Sequence, residues 1–223
     1  MYVPATSAQP AAPAVPLIPI EITAGGSSPS PAGLTGLGAE PAAHVSLLVR
    51  RPDLNVLADH ASTITGTLDP GLSGRMVALQ ALGPRGWSTI ARARSGRGGR
   101  FRVRYIPRRT GSERVRLRFA GDSTDLAARR PLGRLNVYRL AEASWYGGGG
   151  TLACGGELTS TTMGVANKTL PCGSEVTLRY DGRSVQVRVI DRGPYVAGRE
   201  FDLTEATKQA LGFGGVGEVW STR

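Results

Sequence analysis

Ala166-Asn167-Lys168-Thr169-Leu170-Pro171-Cys172-Gly173 and Val189-Ile190-Asp191-Arg192-Gly193-Pro194-Tyr195, the latter followed by Gly198-Arg199-Glu200-Phe201-Asp202-Leu203-Thr204, decide how this chain is read. Between the two stretches, Val176-Thr177-Leu178-Arg179-Tyr180 alternates apolar and polar residues, as a half-buried strand does. Asp181-Gly182 is a favoured two-residue hairpin turn, and Ser184 to Ile190 alternates again. The pattern predicts a β-hairpin whose second strand ends at Asp191, where Gly193-Pro194 turns the chain. A carboxylate at such a strand end is held by a rigid scaffold and still reaches solvent. It serves either chemistry or structure, the latter as a buried partner for Arg192 or for loop amides. Leu203 to Leu211 reads as a short helix ending at Gly212, so Asp202 either caps its backbone N–H groups or belongs to a site.

The order and spacing of these motifs, with Ala143-Ser144-Trp145-Tyr146-Gly147 before them, resemble the rare lipoprotein A family over residues 141–223. The resemblance implies a six-stranded double-psi β-barrel with a short helix. It also implies lytic transglycosylase action on the glycan strands of peptidoglycan, with no cofactor and no metal. Cleaving a glycosidic bond needs an acid at the leaving oxygen. A lytic transglycosylase manages with one acid/base, because the muramic 6-hydroxyl attacks internally at high effective molarity and leaves a 1,6-anhydro product. The carboxylates in matching loops are Glu157, Asp191 and Asp202, each with a structural alternative. Trp145, Tyr146 and Tyr195 are expected to contact sugar, since aromatic faces stack on pyranose rings. One position departs from the family: Asn167 stands where the family has a histidine before the Thr-Leu-Pro turn. Asparagine can orient a sugar by hydrogen bonding but cannot shuttle protons. A non-catalytic, expansin-like glycan-binding barrel is therefore the rival expectation.

Cys154 and Cys172 are the only cysteines, and His44 and His60 the only histidines. Two cysteines alone cannot make a four-ligand zinc site, neither histidine lies near them in the sequence, and their spacing is too long for a CxxC redox motif. One structural disulfide is the simplest reading, free buried thiols the other. Closing a loop of this size is worth about 3 kcal/mol in the entropic model. A disulfide points to an oxidising, extracytoplasmic compartment, with the protein secreted or wall-associated. No apolar run is long enough to span a membrane, and no signal peptide is visible in Met1 to Ile20.

The net charge of +10 is unevenly placed. Residues 141–223 are near neutral, with eight Lys/Arg against nine Asp/Glu, whereas residues 44–139 hold nineteen Arg against six Asp/Glu. Residues 1–43, rich in Pro, Ala, Gly and Ser, read as a disordered linker. Residues 44–139 read as about seven short strands separated by turns, a set that suits an immunoglobulin-like β-sandwich. Leu135-Asn136-Val137-Tyr138 is expected to close that set. In Arg100 to Tyr105 and Arg114 to Phe119, period two puts the arginines on one face and the apolar residues on the other. If the two strands are neighbours, six arginines share one outer face. Arg102, Arg104, Arg116 and Arg118 then point to anionic wall polymers, carboxylates or lipid head groups rather than to nucleic acid, with a solvated sheet face as the plain alternative.

Overall fold

The computed structural model describes residues 42–223. The linker expected over 1–43 and the missing signal peptide of Met1 to Ile20 lie outside the described residues but for positions 42 and 43. The first lobe contains β1 (Ser46–Val49), β2 (Asn55–Leu57), β3 (Ser62–Asp69), β4 (Met76–Gly83), β5 (Gly86–Arg94), β6 (Arg100–Tyr105), β7 (Gly111–Phe119) and the first half of β8 (Ala128–Tyr146). Two sheets form, β1-β3-β6 and β2-β8-β7-β4-β5, antiparallel except for the β2–β8 pair. They share one core. Ile64, Leu68, Phe101 and Val103 reach it from the first sheet, and Val77, Leu79, Val115 and Leu117 from the second.

The alternation in the arginine-rich strands holds, but their adjacency does not. Strand β6 pairs with β3, whereas β7 pairs with β4 and β8 in the other sheet. Arg102 and Arg104 therefore lie on the outer face of one sheet, and Arg116 and Arg118 on that of the other. Period two fixes which side of a strand is buried, but it carries no information on which sheet the strand joins.

The strand expected to close the first lobe at Tyr138 does not stop there. Strand β8 runs nineteen residues, from Ala128 to Tyr146. From Leu135 to Tyr146 the sequence has no Gly or Pro to break it. Its second half enters a barrel with β9 (Gly150–Thr151) and β10 (Glu157–Leu158) as a side hairpin. The barrel strands proper are β11 (Val165–Ala166), β12 (Glu175–Tyr180), β13 (Arg183–Asp191), β14 (Phe201–Thr204) and β15 (Gly217–Ser221). The order β8-β14-β11-β13-β12-β15 returns to β8, so six strands close on themselves. The β8–β14 and β11–β13 pairs are parallel, the rest antiparallel. Closure leaves no free edge. Val165, Val176, Leu178, Val189, Phe201 and Leu203 fill the interior and are fully buried.

The β12–β13 hairpin turns at Asp181-Gly182, both with positive φ (43° and 79°), as the favoured two-residue turn requires. The helix α1 (Glu205–Leu211) starts two residues later than the sequence pattern implies. Its N-cap is Thr204, whose hydroxyl accepts from Thr207 N, and it ends at Gly212 in the left-handed region. Asp202 is therefore not the cap: it lies inside β14, two residues upstream. The two lobes also touch through side chains. Tyr138 packs against Trp220 with ring centroids 5.7 Å apart, and Arg139 forms a two-point ion pair with Glu200.

Candidate active site

Strand β13 pairs in parallel with β11, and the register slips between Val165 and Ala166. Val165 faces Val189, but Ala166 faces Asp191, so Ile190 is the extra residue of a bulge. Bulges beside active sites re-aim a side chain, and this one brings Asp191 level with Ala166. The slip is accommodated by Gly164, where a Cβ would collide with the Ile190 side chain. Gly164→Ala is expected to destabilise the barrel by about 1–3 kcal/mol through overpacking. Trimming Ile190 to Val in the same chain should recover part of that loss. Denaturant midpoints of the single and double variants check this.

Ala166 also faces Asp202 on β14, and Asp202 faces Ser144 on β8. Asp191, Ala166, Asp202 and Ser144 thus stand in one row across four strands. At about 4.8 Å per strand, the two aspartate backbones are roughly 10 Å apart. Asp191 Oδ1 accepts from Ala153 N at 2.9 Å and from Arg192 N at 2.8 Å, so its fixed partners are loop amides. Arg192 is not its ion-pair partner. The guanidinium turns away to the carbonyls of Asn167 and Leu170, at 3.0 and 2.8 Å, and to Cys172 Sγ. Asp202 Oδ1 accepts from Ser144 Oγ at 2.6 Å.

Tyr146, two residues after Ser144 on β8, completes the group. Its hydroxyl is buried, with the Asp191 carboxylate as its neighbouring acceptor although no well-aligned hydrogen bond is formed. Burial first, then the negative charge of Asp191 and the hydroxyl's interaction with that carboxylate, and last the charge of Asp202, push the phenol pKa well above its ordinary range. Tyr146 therefore remains a proton-bearing donor at neutral pH, beside both carboxylates.

The remaining expected residues are placed differently. Asn167 is buried, and its carboxamide is used inside the fold: Oδ1 accepts from Thr169 N and Leu170 N at 3.0 and 2.8 Å, while Nδ2 donates to Glu200 O at 2.9 Å. This is the side-chain turn that Asn forms well. Glu157 is exposed on the β9–β10 hairpin, where it accepts from Thr151 Oγ1. No hydrogen bond joins it to Asp191 among the described residues. Trp145 is 39% exposed, with Lys208 Nζ 4.0 Å from its ring centroid. Tyr195 is 82% exposed in the loop after β13. Cys154 and Cys172 form a disulfide that joins the Ala153 loop to the Leu170–Gly173 turn. Ser144 was not singled out by the sequence, yet it lies one alternation before Tyr146 on the same strand.

The lytic transglycolase family model, a double-psi β-barrel, matches residues 140–220. The chain is 45% identical over 80 residues to the endolytic peptidoglycan transglycosylase RlpA of Neisseria meningitidis serogroup A, covering 34% of each chain. It is 40% identical over 93 residues to that of Pseudomonas aeruginosa strain PAO1, covering 39% of this chain and 27% of the other. Among solved structures, a Streptomyces papain inhibitor overlaps 38% of this chain and 91% of its own, at 24% identity and a TM-score of 0.32. The segment 140–220 is thus a double-psi β-barrel of the lytic transglycolase type. Within that class it is an RlpA-like segment. The chain spans only about a quarter to a third of the length of these curated relatives.

Proposed function

We propose that this protein cleaves the glycan strands of peptidoglycan by a lytic transglycosylase-type reaction. The observation that carries the reading is the bulge that brings Asp191 into one row with Asp202, beside the buried hydroxyl of Tyr146, within a segment similar to RlpA. Asp191 serves as the acid/base: it protonates the leaving glycosidic oxygen and then takes the proton of the muramic 6-hydroxyl as that oxygen attacks C1. Asp202, held by Ser144, supplies negative charge toward the cationic transition state. Tyr146 donates to substrate or to Asp191, and the exposed rings of Tyr195 and Trp145 offer stacking surface for sugars. Glu157 lines the same loop region as a secondary acid. Incubating the purified protein with peptidoglycan should release 1,6-anhydro-muramic products, detected by mass.

The rival reading is a non-catalytic, expansin-like glycan-binding barrel, and Asn167 favours it. Wild-type protein that binds glycan strands without releasing product would establish this rival. Asn167→His separates the two. Because the Asn167 carboxamide is already spent on the turn, the enzyme reading expects cleavage by the wild type and no large gain from the histidine. Product that appears only in Asn167→His would mark the chain as a binding module.

The first lobe fits an immunoglobulin-like module, as its two facing sheets and parallel β2–β8 pair support. In this reading residues 44–139 and 141–223 are two modules, and the first holds the barrel at the wall through its arginines. An extracytoplasmic, wall-facing location is supported by the disulfide and by the peptidoglycan named for the relatives. Among the described residues no helix is long and apolar enough to cross a membrane.

A further inference from the structure

The outer face of the sheet β2-β8-β7-β4-β5 carries a charge pattern that works against the fold. Arg92 on β5, Arg114, Arg116 and Arg118 on β7, and Arg129 and Arg134 on β8 all point outward. They lie opposite in phase to the buried Val115 and Leu117. Register sets Arg118 directly across from Arg129, and Arg114 directly across from Arg134. Like charges facing each other in this way destabilise a sheet. Arg92 lies in the same row as Arg118, one strand beyond Ala78.

Nothing on the face neutralises them. No Asp or Glu occupies an outward position on β4, β5, β7 or the 128–137 length of β8. None of the six arginines enters an ion pair among the described residues; those pairs involve Arg75 and Arg139. Arg116 stacks 4.0 Å over Trp87 and donates to Gln80 Oε1 at 2.9 Å. Burial, then the charges of Arg129 and Arg118, lower its pKa from the ordinary value. The opposite outer face of the lobe is different. There Arg100, Arg102 and Arg104 sit on a single strand, each facing a threonine: Thr67, Thr65 and Thr63.

We propose that the Arg92–Arg118–Arg129 face binds a flexible linear wall polymer carrying one phosphate per repeat. Along β7 the guanidinium stems recur at about 7 Å, and across strands at about 5 or 10 Å. Separate cations spread over a sheet face suit an extended chain that meets them one anion at a time. Guanidinium pairs with phosphate through two parallel N–H bonds and keeps its charge. The polymer's negative charge removes the repulsion between the paired arginines. The proposal rests on the wall-facing placement above and not on the barrel's chemistry.

The test uses the full chain in pelleting assays with phosphate-bearing cell walls, the same walls stripped of phosphate, and a soluble poly(glycerol phosphate). Binding to the phosphate-bearing forms is expected to weaken about 50-fold between 50 and 200 mM salt if roughly four contacts form. Replacing Arg92, Arg118 and Arg129 by Glu should weaken it at least as much. Replacing Arg100, Arg102 and Arg104 by Glu makes the same change in net charge on the other face, and should leave binding nearly unchanged. Equal binding to stripped walls, equal loss in both triple variants, or tighter binding to anionic phospholipid vesicles would overturn the proposal. Binding to the soluble polymer but not to walls would refute the wall-facing placement and uphold the face. Anhydro-product release in the same samples reports on the barrel separately.

Discussion

Replacing Asp191 by Asn is expected to lower glycan cleavage on the order of 10²–10⁴-fold and to leave glycan binding nearly intact. The substitution isolates the proton. Asp191 Oδ1 anchors Ala153 N and the backbone N of Arg192, and the Asn carboxamide oxygen can accept both bonds. The loop geometry is thereby kept while the group that must hand over and retrieve a proton is lost. Product release by mass and co-sedimentation with glycan strands, measured on the same preparation, read the two effects apart. Retained cleavage in Asp191→Asn would move the acid elsewhere, with Asp202 the nearest alternative across Ala166. A wild type that binds strands and yields no product at any pH from acid to neutral would remove the enzyme reading altogether.

Removing the disulfide is expected to cost about 2–5 kcal/mol of stability. Cys154 and Cys172 are 18 residues apart in sequence, and their bond closes the loop that delivers Ala153 N to Asp191. The Arg192 guanidinium, which donates to Cys172 Sγ at 3.0 Å, loses part of its seat in the same change. A Cys154→Ser/Cys172→Ser double variant should therefore unfold at lower denaturant, and cleavage should fall further than the unfolded fraction alone explains. Thiol labelling of the denatured, non-reduced wild type should find no free thiol. Quantitative labelling of both cysteines would contradict the bond and withdraw the support it gives to an oxidising compartment.

The β12–β13 hairpin is legible because its signals are local, whereas the barrel that contains it is legible only through the resemblance of the motifs between Ala143 and Thr204 to a known family. Asp181-Gly182 specifies its turn through two residues, and the alternation on either side needs no partner to be recognised. The strand end at Asp191 is legible in the same way, from Gly193-Pro194, whereas a catalytic role for it is an expectation that the family resemblance carries. The bulge that aims it was not visible, because a register slip belongs to a pair of strands rather than to one of them. Asp202 was misjudged as a possible cap for a related reason. Thr204 is an equally good capping residue, and the parallel pairing of β14 with β8 decides between them. The sheet membership of the arginine strands was hidden likewise. Phe101-Arg102-Val103-Arg104 and Val115-Arg116-Leu117-Arg118 look alike in isolation, but their long-range partners send them to opposite sheets. Ser144 escaped notice because a lone serine in a strand has no meaning until its cross-strand neighbour is known.

The unbroken strand β8 has a mechanical consequence. Tension between a polymer held on the first lobe and a glycan held by the barrel would run along one covalent backbone. The hydrogen bonds from β7 on one side and from β15 on the other would be loaded in shear, many at once, rather than peeled singly. A linker of Gly and Pro at this point would stretch first and let the lobes drift apart. Here the junction itself is sheet, reinforced by the Tyr138–Trp220 packing and the Arg139–Glu200 pair. If both ligands are held as proposed, the unbroken strand would make the molecule a tensile strut between two anchor points in a stretched polymer mesh.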